Sequence, residues 1–397
     1  MENASPFLSR LSESATLAMS RKSRELREKG IDVISLSLGE PDFNTPEFIK
    51  DAARKALEDN ITKYPPVNGF KELREAISNK FKRDNGINYS PDQIVVSTGA
   101  KQSIANLILA MIGNGDEVII PAPYWVTYIE QVKMAEGIPV VISTSIENDF
   151  KVTASELEEK IKGKTKLIMF SSPCNPSGSV YSKNELAAIA EVMERHPHVY
   201  AMCDEIYEHI NFVGGHESLA QFENIADRVI TVNGVSKGFA MTGWRLGYIG
   251  APLWIAKACA KIQGQVTSGA NSITQMATIA AVNADPSRTH YMRDAFKERR
   301  ELVSRLLSEI PGVKTNEPEG AFYHFPEISD YFGKSDGKTE IKDSFDLAEY
   351  ILSEGHVATV AGAAFGSPNN LRISYAASEE ELTEAMSRIK NTLAKLS

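Results

Sequence analysis

Apolar residues in the middle of this 397-residue chain fall in short continuous runs, each stopped by small or polar residues. Ile94-Val95-Val96-Ser97 leads into Thr98-Gly99-Ala100. Residues 117–120 stop at Pro121, residues 166–170 at Ser171-Ser172-Pro173, 199–203 at Asp204, and 228–232 at Asn233-Gly234. Residues 139–142 and 246–250 are two more such runs. Runs this short and apolar predict strands buried on both faces. Stretches at helical spacing, about 101–111 and 185–194, lie between them. Strand and helix in alternation predict an α/β fold, a mainly parallel central sheet with helices on both faces.

From about Arg288 the pattern changes. A long charged helix over 291–307 precedes Pro311-Gly312. An apolar run at 321–325, a polar stretch at 334–339, a helix around 345–353 and a strand over 371–375 follow. The last helix starts at Ser378, with Glu381 spaced for a capping box. The expected division is an N-terminal arm with part of a small domain (1–45), a large domain (46–287) and a small C-terminal α/β domain (288–397).

Composition narrows the partners. Hydrophobic residues make up 42% and charged residues 24%, enough for a sizeable core. The net charge of −9 disfavours nucleic acid, whose backbone calls for a basic surface. No apolar run is long enough for a membrane span, and Met1 to Arg10, polar with Pro6, has no secretory pattern. Cys174, Cys203 and Cys259 form no CxxC pair and cannot all pair, which suits a reducing cytoplasm. The seven histidines include no HExxH, and no metal site is expected at His196-Pro197-His198.

The candidate chemistry gathers just after the predicted strand ends, where open α/β sheets bind ligands. Ser236-Lys237-Gly238 sets a lysine among small residues, with Arg245 eight positions on. Such a lysine can reach an aldehyde and an arginine can fork a phosphate, the two handles of pyridoxal 5'-phosphate. Asp204 is either a helix N-cap or the partner of the pyridine nitrogen, an ion pair worth roughly 4 kcal/mol at an effective dielectric of about 20. Asn175, between Pro173 and Pro176, is a turn residue or a donor to the cofactor's phenolic oxygen, with Tyr207 as a second donor.

The turn at Gly99 and Ala100 opens a helix whose free N–H groups suit a phosphate, completed by Ser236 and Arg245. Lys101, a cation in that first turn, is a solvated surface residue or the partner of an anion. Trp125, after Pro121-Ala122-Pro123, packs in the core or stacks on the cofactor ring. Arg372, in an otherwise apolar strand, forms a structural ion pair or clamps a carboxylate.

Eight segments in order, SLSLGEPDFNTP from Ser35, KYPPVNGFKELREAI from Lys63, STGAKQSI from Ser97, PAPYWVTY from Pro121, SSPCNPSG from Ser171, CDEIYEH from Cys203, NGVSKGFAMTGWRLGY from Asn233 and NNLRISYA from Asn369, resemble the class I aminotransferases of pyridoxal-phosphate fold type I nearly end to end. The chain looks most similar to the bacterial aspartate aminotransferases of subgroup I-beta.

The resemblance implies that Lys237 is the Schiff-base lysine and proton shuttle, Asp204 the ring-nitrogen partner and Trp125 the stacking residue. Asn175 and Tyr207 would serve the phenolic oxygen. Gly99, Ala100, Lys101, Ser236 and Arg245 would surround the phosphate. Arg372 would clamp the substrate α-carboxylate, and Gly39 would lie in a segment closing over substrate. Tyr64 would reach the phosphate of a neighbouring subunit, which implies a homodimer. Ser14, Thr16 and Lys101 match positions near the distal carboxylate of aspartate or glutamate. Relatives that also act on prephenate carry a lysine ahead of Ser-Ala-Thr, where this chain has Leu11-Ser12-Glu13. The expected activity is aspartate transamination; the rivals are a prephenate or aromatic aminotransferase, a β-lyase, and a non-catalytic cofactor-binding module.

Overall fold

A computed structural model describes residues 5–397; Met1–Ala4, the start of the segment read for a leader, lie outside them. The apolar runs form one seven-stranded sheet: β1 (Ile94–Ser97), β2 (Glu117–Ala122), β3 (Ile138–Ser143), β4 (Thr165–Ser171), β5 (Tyr200–Asp204), β6 (Val229–Gly234) and β7 (Gly247–Gly250). Their order across the sheet is β1-β7-β6-β5-β4-β2-β3. Six strands run parallel; β7 lies antiparallel between β1 and β6, a reversal the apolar pattern did not reveal. Because β7 runs backwards, its first residue, Gly247, shares an edge with Ser97 and Gly234, the last residues of their strands. The C-terminal ends of the other strands open on that same edge.

Helices pack on both faces. In Lys183–Arg195 the apolar Leu186, Ile189, Ala190 and Met193 recur at helical spacing and are buried. Ser182 and Glu185 form a capping box at its start. His196 and His198 lie in the connection that follows, and the described residues contain no cluster able to hold a metal ion. No helix among them is long and apolar enough to cross a membrane.

A second core joins both parts of the chain beyond the sheet. Met19, Val33, Ile34 and Leu36 pack with Phe296, Phe322, Leu347, Ile373 and Leu382. Ile34–Ser35 pairs parallel with Val357–Ala358. Tyr323–His324, Leu371–Ser374 and Val360–Ala361 form a small antiparallel sheet. The helices His290–Ser308, Ser344–Gly355 and Glu379–Leu393 cover this region, the last with the expected Ser378–Glu381 box. The cavity described next lies between the two cores.

Candidate active site

A cavity of about 300 Å³ opens at the strand ends. Lys237, Asp204, Tyr207, Asn175, Trp125, Ala100, Lys101, Ser236, Arg245, Gly39, Arg372, Ser14 and Thr16, all singled out in the sequence, line it. Gly99 sits directly behind, under Arg245. Tyr64 does not: it is 95% exposed and lies apart, beside Pro65 and Ser268.

Backbone geometry builds the anion-binding end. Gly99 takes φ +83° and precedes the helix Ala100–Met111, so the first N–H groups of that helix face the cavity edge. A Cβ on Gly99 would fall 2.5 Å from Nη2 of Arg245, so only a bare backbone lets the guanidinium lie there. A Cβ on Gly247 would meet the Ala100 nitrogen at 2.2 Å, so β7 and the helix start can touch only through glycine. Arg245 Nη1 donates to the Thr242 carbonyl at 2.9 Å.

Asp204 ends β5 and caps no helix; its Oδ1 accepts from the Ile206 N–H at 3.2 Å. The N-cap alternative is therefore out. Its Oδ2 accepts from Tyr128 Oη at 2.8 Å. Burial pushes its carboxyl up to about 6, against the Tyr128 and Ile206 hydrogen bonds, so a cation placed opposite would be strongly favoured. Lys237 Nζ donates to the Gly39 carbonyl. Burial draws its pKa down to about 8, helped by Arg372 and Arg245 and opposed by Glu40 and Asp204, so it yields a free amine more easily than an exposed lysine.

Arg372 is buried at 2% exposure and faces no carboxylate among the described residues. Nη1 donates to Asn175 Oδ1 at 3.0 Å and Nη2 to the Ser37 carbonyl, while Nε, also buried, has no hydrogen-bond partner among the described residues. Its guanidinium lies 4.6 Å from the Tyr323 ring and 4.9 Å from the Phe365 ring. No described residue forms the structural ion pair considered from sequence, and the charge is left for an incoming anion. Because Asn175 accepts through Oδ1, its NH₂ end remains as the donor.

Lys101 Nζ sits 4.9 Å from the Trp125 ring. Partial desolvation and then Arg245 lower its pKa. Trp125 meets Tyr128 edge-on at 5.6 Å. Arg372, Lys101, Arg245 and Lys237 therefore give the cavity an excess of cations over Asp204 and nearby Glu40.

Sequence reasoning missed Tyr128 and Tyr323. Tyr128 follows Trp125 by three residues, about one helical turn, which was a usable signal. Tyr323, whose Oη lies 2.7 Å from Tyr207 Oη, stands in an apolar run that looks like core. Ser171, the last residue of β4, lines the cavity with a buried hydroxyl beside Tyr128 and Cys174.

The donor set fits pyridoxal 5'-phosphate: an amine, a buried carboxylate, amide and phenol donors, and a helix start with an arginine. Comparisons with known proteins agree. The family described as "Aminotransferase class I and II" matches residues 31–389. An "Aspartate/prephenate aminotransferase" of Cereibacter sphaeroides is 46% identical over 99% of both chains. A bifunctional aspartate and glutamate/aspartate-prephenate aminotransferase of Petunia hybrida is 47% identical over 98% of this chain and 82% of its own. The crystal structure of an aspartate aminotransferase from Rhizobium meliloti superposes with a TM-score of 0.96 at 42% identity, covering 100% of both chains. With its full-length relatives, its fold and its cavity in accord, the chain belongs to the class I and II aminotransferases.

Proposed function

We propose that this enzyme is a pyridoxal 5'-phosphate-dependent aspartate aminotransferase that converts L-aspartate and 2-oxoglutarate to oxaloacetate and L-glutamate by a ping-pong route. The observation that carries the substrate class is the buried Arg372 in one cavity with Lys101, neither of which has an acidic partner among the described residues. A buried cation without a counter-charge and a second, exposed cation lining the same cavity fit a ligand with two carboxylates. The relatives' names and an aspartate aminotransferase from Thermus thermophilus solved with maleate, at 39% identity, TM-score 0.92 and coverage of 99% of this chain and 100% of that one, support the reading.

When bound, the cofactor supplies an aldehyde for the amine and a ring that takes up an electron pair. The chain's residues do the rest. Asp204 would hold a proton at the ring nitrogen. Asn175 and Tyr207 would donate to the phenolic oxygen, and Trp125 would cover the ring face. Ser236, Arg245 and the N–H groups from Gly99 to Lys101 would hold the phosphate. Arg372 would fix the α-carboxylate, and Lys101 with Ser14 and Thr16 the distal one, aligning Cα–H with Lys237. Lys237 Nζ would take the Cα proton and return it, base and then acid. Gly39 would help exclude water.

We further propose a homodimer, in which the exposed Tyr64 serves the partner's phosphate, a cytoplasmic setting suited to three buried free thiols, and the division 1–45, 46–287 and 288–397. A second reading, prephenate transamination, is favoured by the relatives' names; Leu11-Ser12-Glu13, which lacks the lysine that the resemblance implies for prephenate activity, weighs against it.

The test is visible absorbance of purified protein on addition of L-aspartate, then L-phenylalanine, followed by kinetics with prephenate. A response to aspartate at low concentration supports the proposal. A response only to the aromatic amino acid moves the substrate class and keeps Lys237.

A further inference from the structure

Behind the cavity, and outside its lining, lies a buried polar cluster centred on Glu208. Its side chain is 3% exposed and Lys80 opposite is 2% exposed. Glu208 Oε1 accepts from Lys80 Nζ and from Asn233 Nδ2 at 2.8 Å, and Oε2 accepts from Asn85 Nδ2 at 2.7 Å. Lys80 Nζ also donates to Asn85 Oδ1 at 2.7 Å and lies 3.9 Å from Asp84. His209 Nε2 stands 3.4 Å from Glu208 Oε1.

The placement of these groups links two loops that share no sequence neighbourhood. Glu208 follows Tyr207 directly and Asp204 by four residues. Asn233 precedes Lys237 by four, and its Oδ1 accepts from the Gly234 N–H at 2.7 Å. The His209 ring then fills the space beside Gly238, where a Cβ would come within 2.7 Å of it, and packs edge-on against Phe239 at 5.1 Å. One carboxylate thus ends both loops on the same anchor, Lys80, at the C-terminus of the helix Lys71–Lys80. A fully partnered buried network has few alternative arrangements and transmits position rather than slack.

We infer that Glu208 is a positioning residue: accepting from Lys80, Asn85 and Asn233 together, it holds the loop bearing Asp204 and Tyr207 in register with the loop bearing Lys237. The inference rests on the cofactor reading above. Misplacing Lys237 or Asp204 by a fraction of an ångström alters the chemical step more than the binding of substrate, whose carboxylates are held elsewhere.

The test uses holoenzyme and three variants: Glu208→Gln, the pair Lys80→Met with Glu208→Gln, and Asn233→Ala. Glu208→Gln leaves the buried Lys80 with only Asp84, at 3.9 Å, as counter-charge and lowers Tm; the double variant removes both charges and restores much of that loss. Position is not restored. The double variant and Asn233→Ala are expected to lose about tenfold in kcat with KM within about twofold, and to show weakened visible circular dichroism of the bound cofactor. Wild-type kcat and dichroism in the double variant and in Asn233→Ala would overturn the inference and leave the cluster a structural pair. Should the double variant not fold, Asn233→Ala decides alone, since it leaves Lys80–Glu208 whole. Borohydride reduction of the wild type with peptide mapping separates the two claims. No label on Lys237 sinks the cofactor reading; label on Lys237 with unaltered variants sinks only the positioning role.

Discussion

Tyr128 donates its hydroxyl to Oδ2 of Asp204 at 2.8 Å, 76 residues away in the chain, leaving Oδ1 with the Ile206 N–H. This bond holds the carboxylate down against the burial that raises it. Tyr128→Phe should raise the Asp204 pKa further and weaken its grip on a ring proton. A charge-assisted bond is worth about 1.5–3 kcal/mol, so kcat is expected to fall about tenfold or more, with KM for aspartate little changed. Unchanged kcat in steady-state assays would show that the bond does not tune Asp204.

Arg372 reads its ligand through a planar fork already shared with Asn175 and Ser37. Arg372→Lys keeps the charge and loses the fork. The expected cost, about 1.5–3 kcal/mol, is a 10- to 100-fold loss in kcat/KM for every amino acid tested, aspartate and alanine alike.

Lys101 should behave differently, because its proposed contact is with the distal carboxylate. Lys101→Met is expected to lower kcat/KM for aspartate by about tenfold or more while leaving alanine and phenylalanine nearly unaffected. A uniform loss across all three would place Lys101 at the cofactor phosphate instead.

Gly99 tests the anion cup. Gly99→Ala must accommodate a Cβ 2.5 Å from Arg245 Nη2 at φ +83°. The arginine has to move, and positive φ costs about 1–2 kcal/mol for a residue with a Cβ. Equilibrium dialysis should show pyridoxal phosphate affinity reduced by about tenfold or more.

Two buried groups shape the stability of the cofactor-free protein. Asp204 is raised from 3.8 to about 6, so between those values the folded chain holds an extra proton and stability falls as pH rises. Lys237 is lowered from 10.5 to about 8, so across that window the folded chain holds one proton fewer and stability rises with pH. Each window spans about 3 kcal/mol. Denaturant melts of wild type against Asp204→Asn and Lys237→Met should show the difference in pH slope confined to pH 4–6 and pH 8–10.5, with a constant offset above pH 6 and below pH 8 respectively.

Local sequence determined the strands and helices, the turns after each strand, and with them the positions of Asp204, Asn175, Gly99 and Lys237. Each of these sits within a few residues of an apolar run whose end fixes where the chain meets the sheet edge. The motif resemblance carried Arg372, Ser14 and Thr16 to the same place, although they come from opposite ends of the chain. Tertiary structure alone decided the rest. The backward course of β7 depends on pairing with β1 and β6, strands whose apolar pattern is the same in either direction. Tyr323 beside Tyr207, Gly39 beneath Lys237 and Ser37 beneath Arg372 are contacts across 116, 198 and 335 residues, set by how the two cores dock. That no described residue sets a carboxylate beside Arg372 was equally invisible: a strand sequence shows that a charge will be buried, and only packing shows whether the protein neutralises it or leaves that to a ligand.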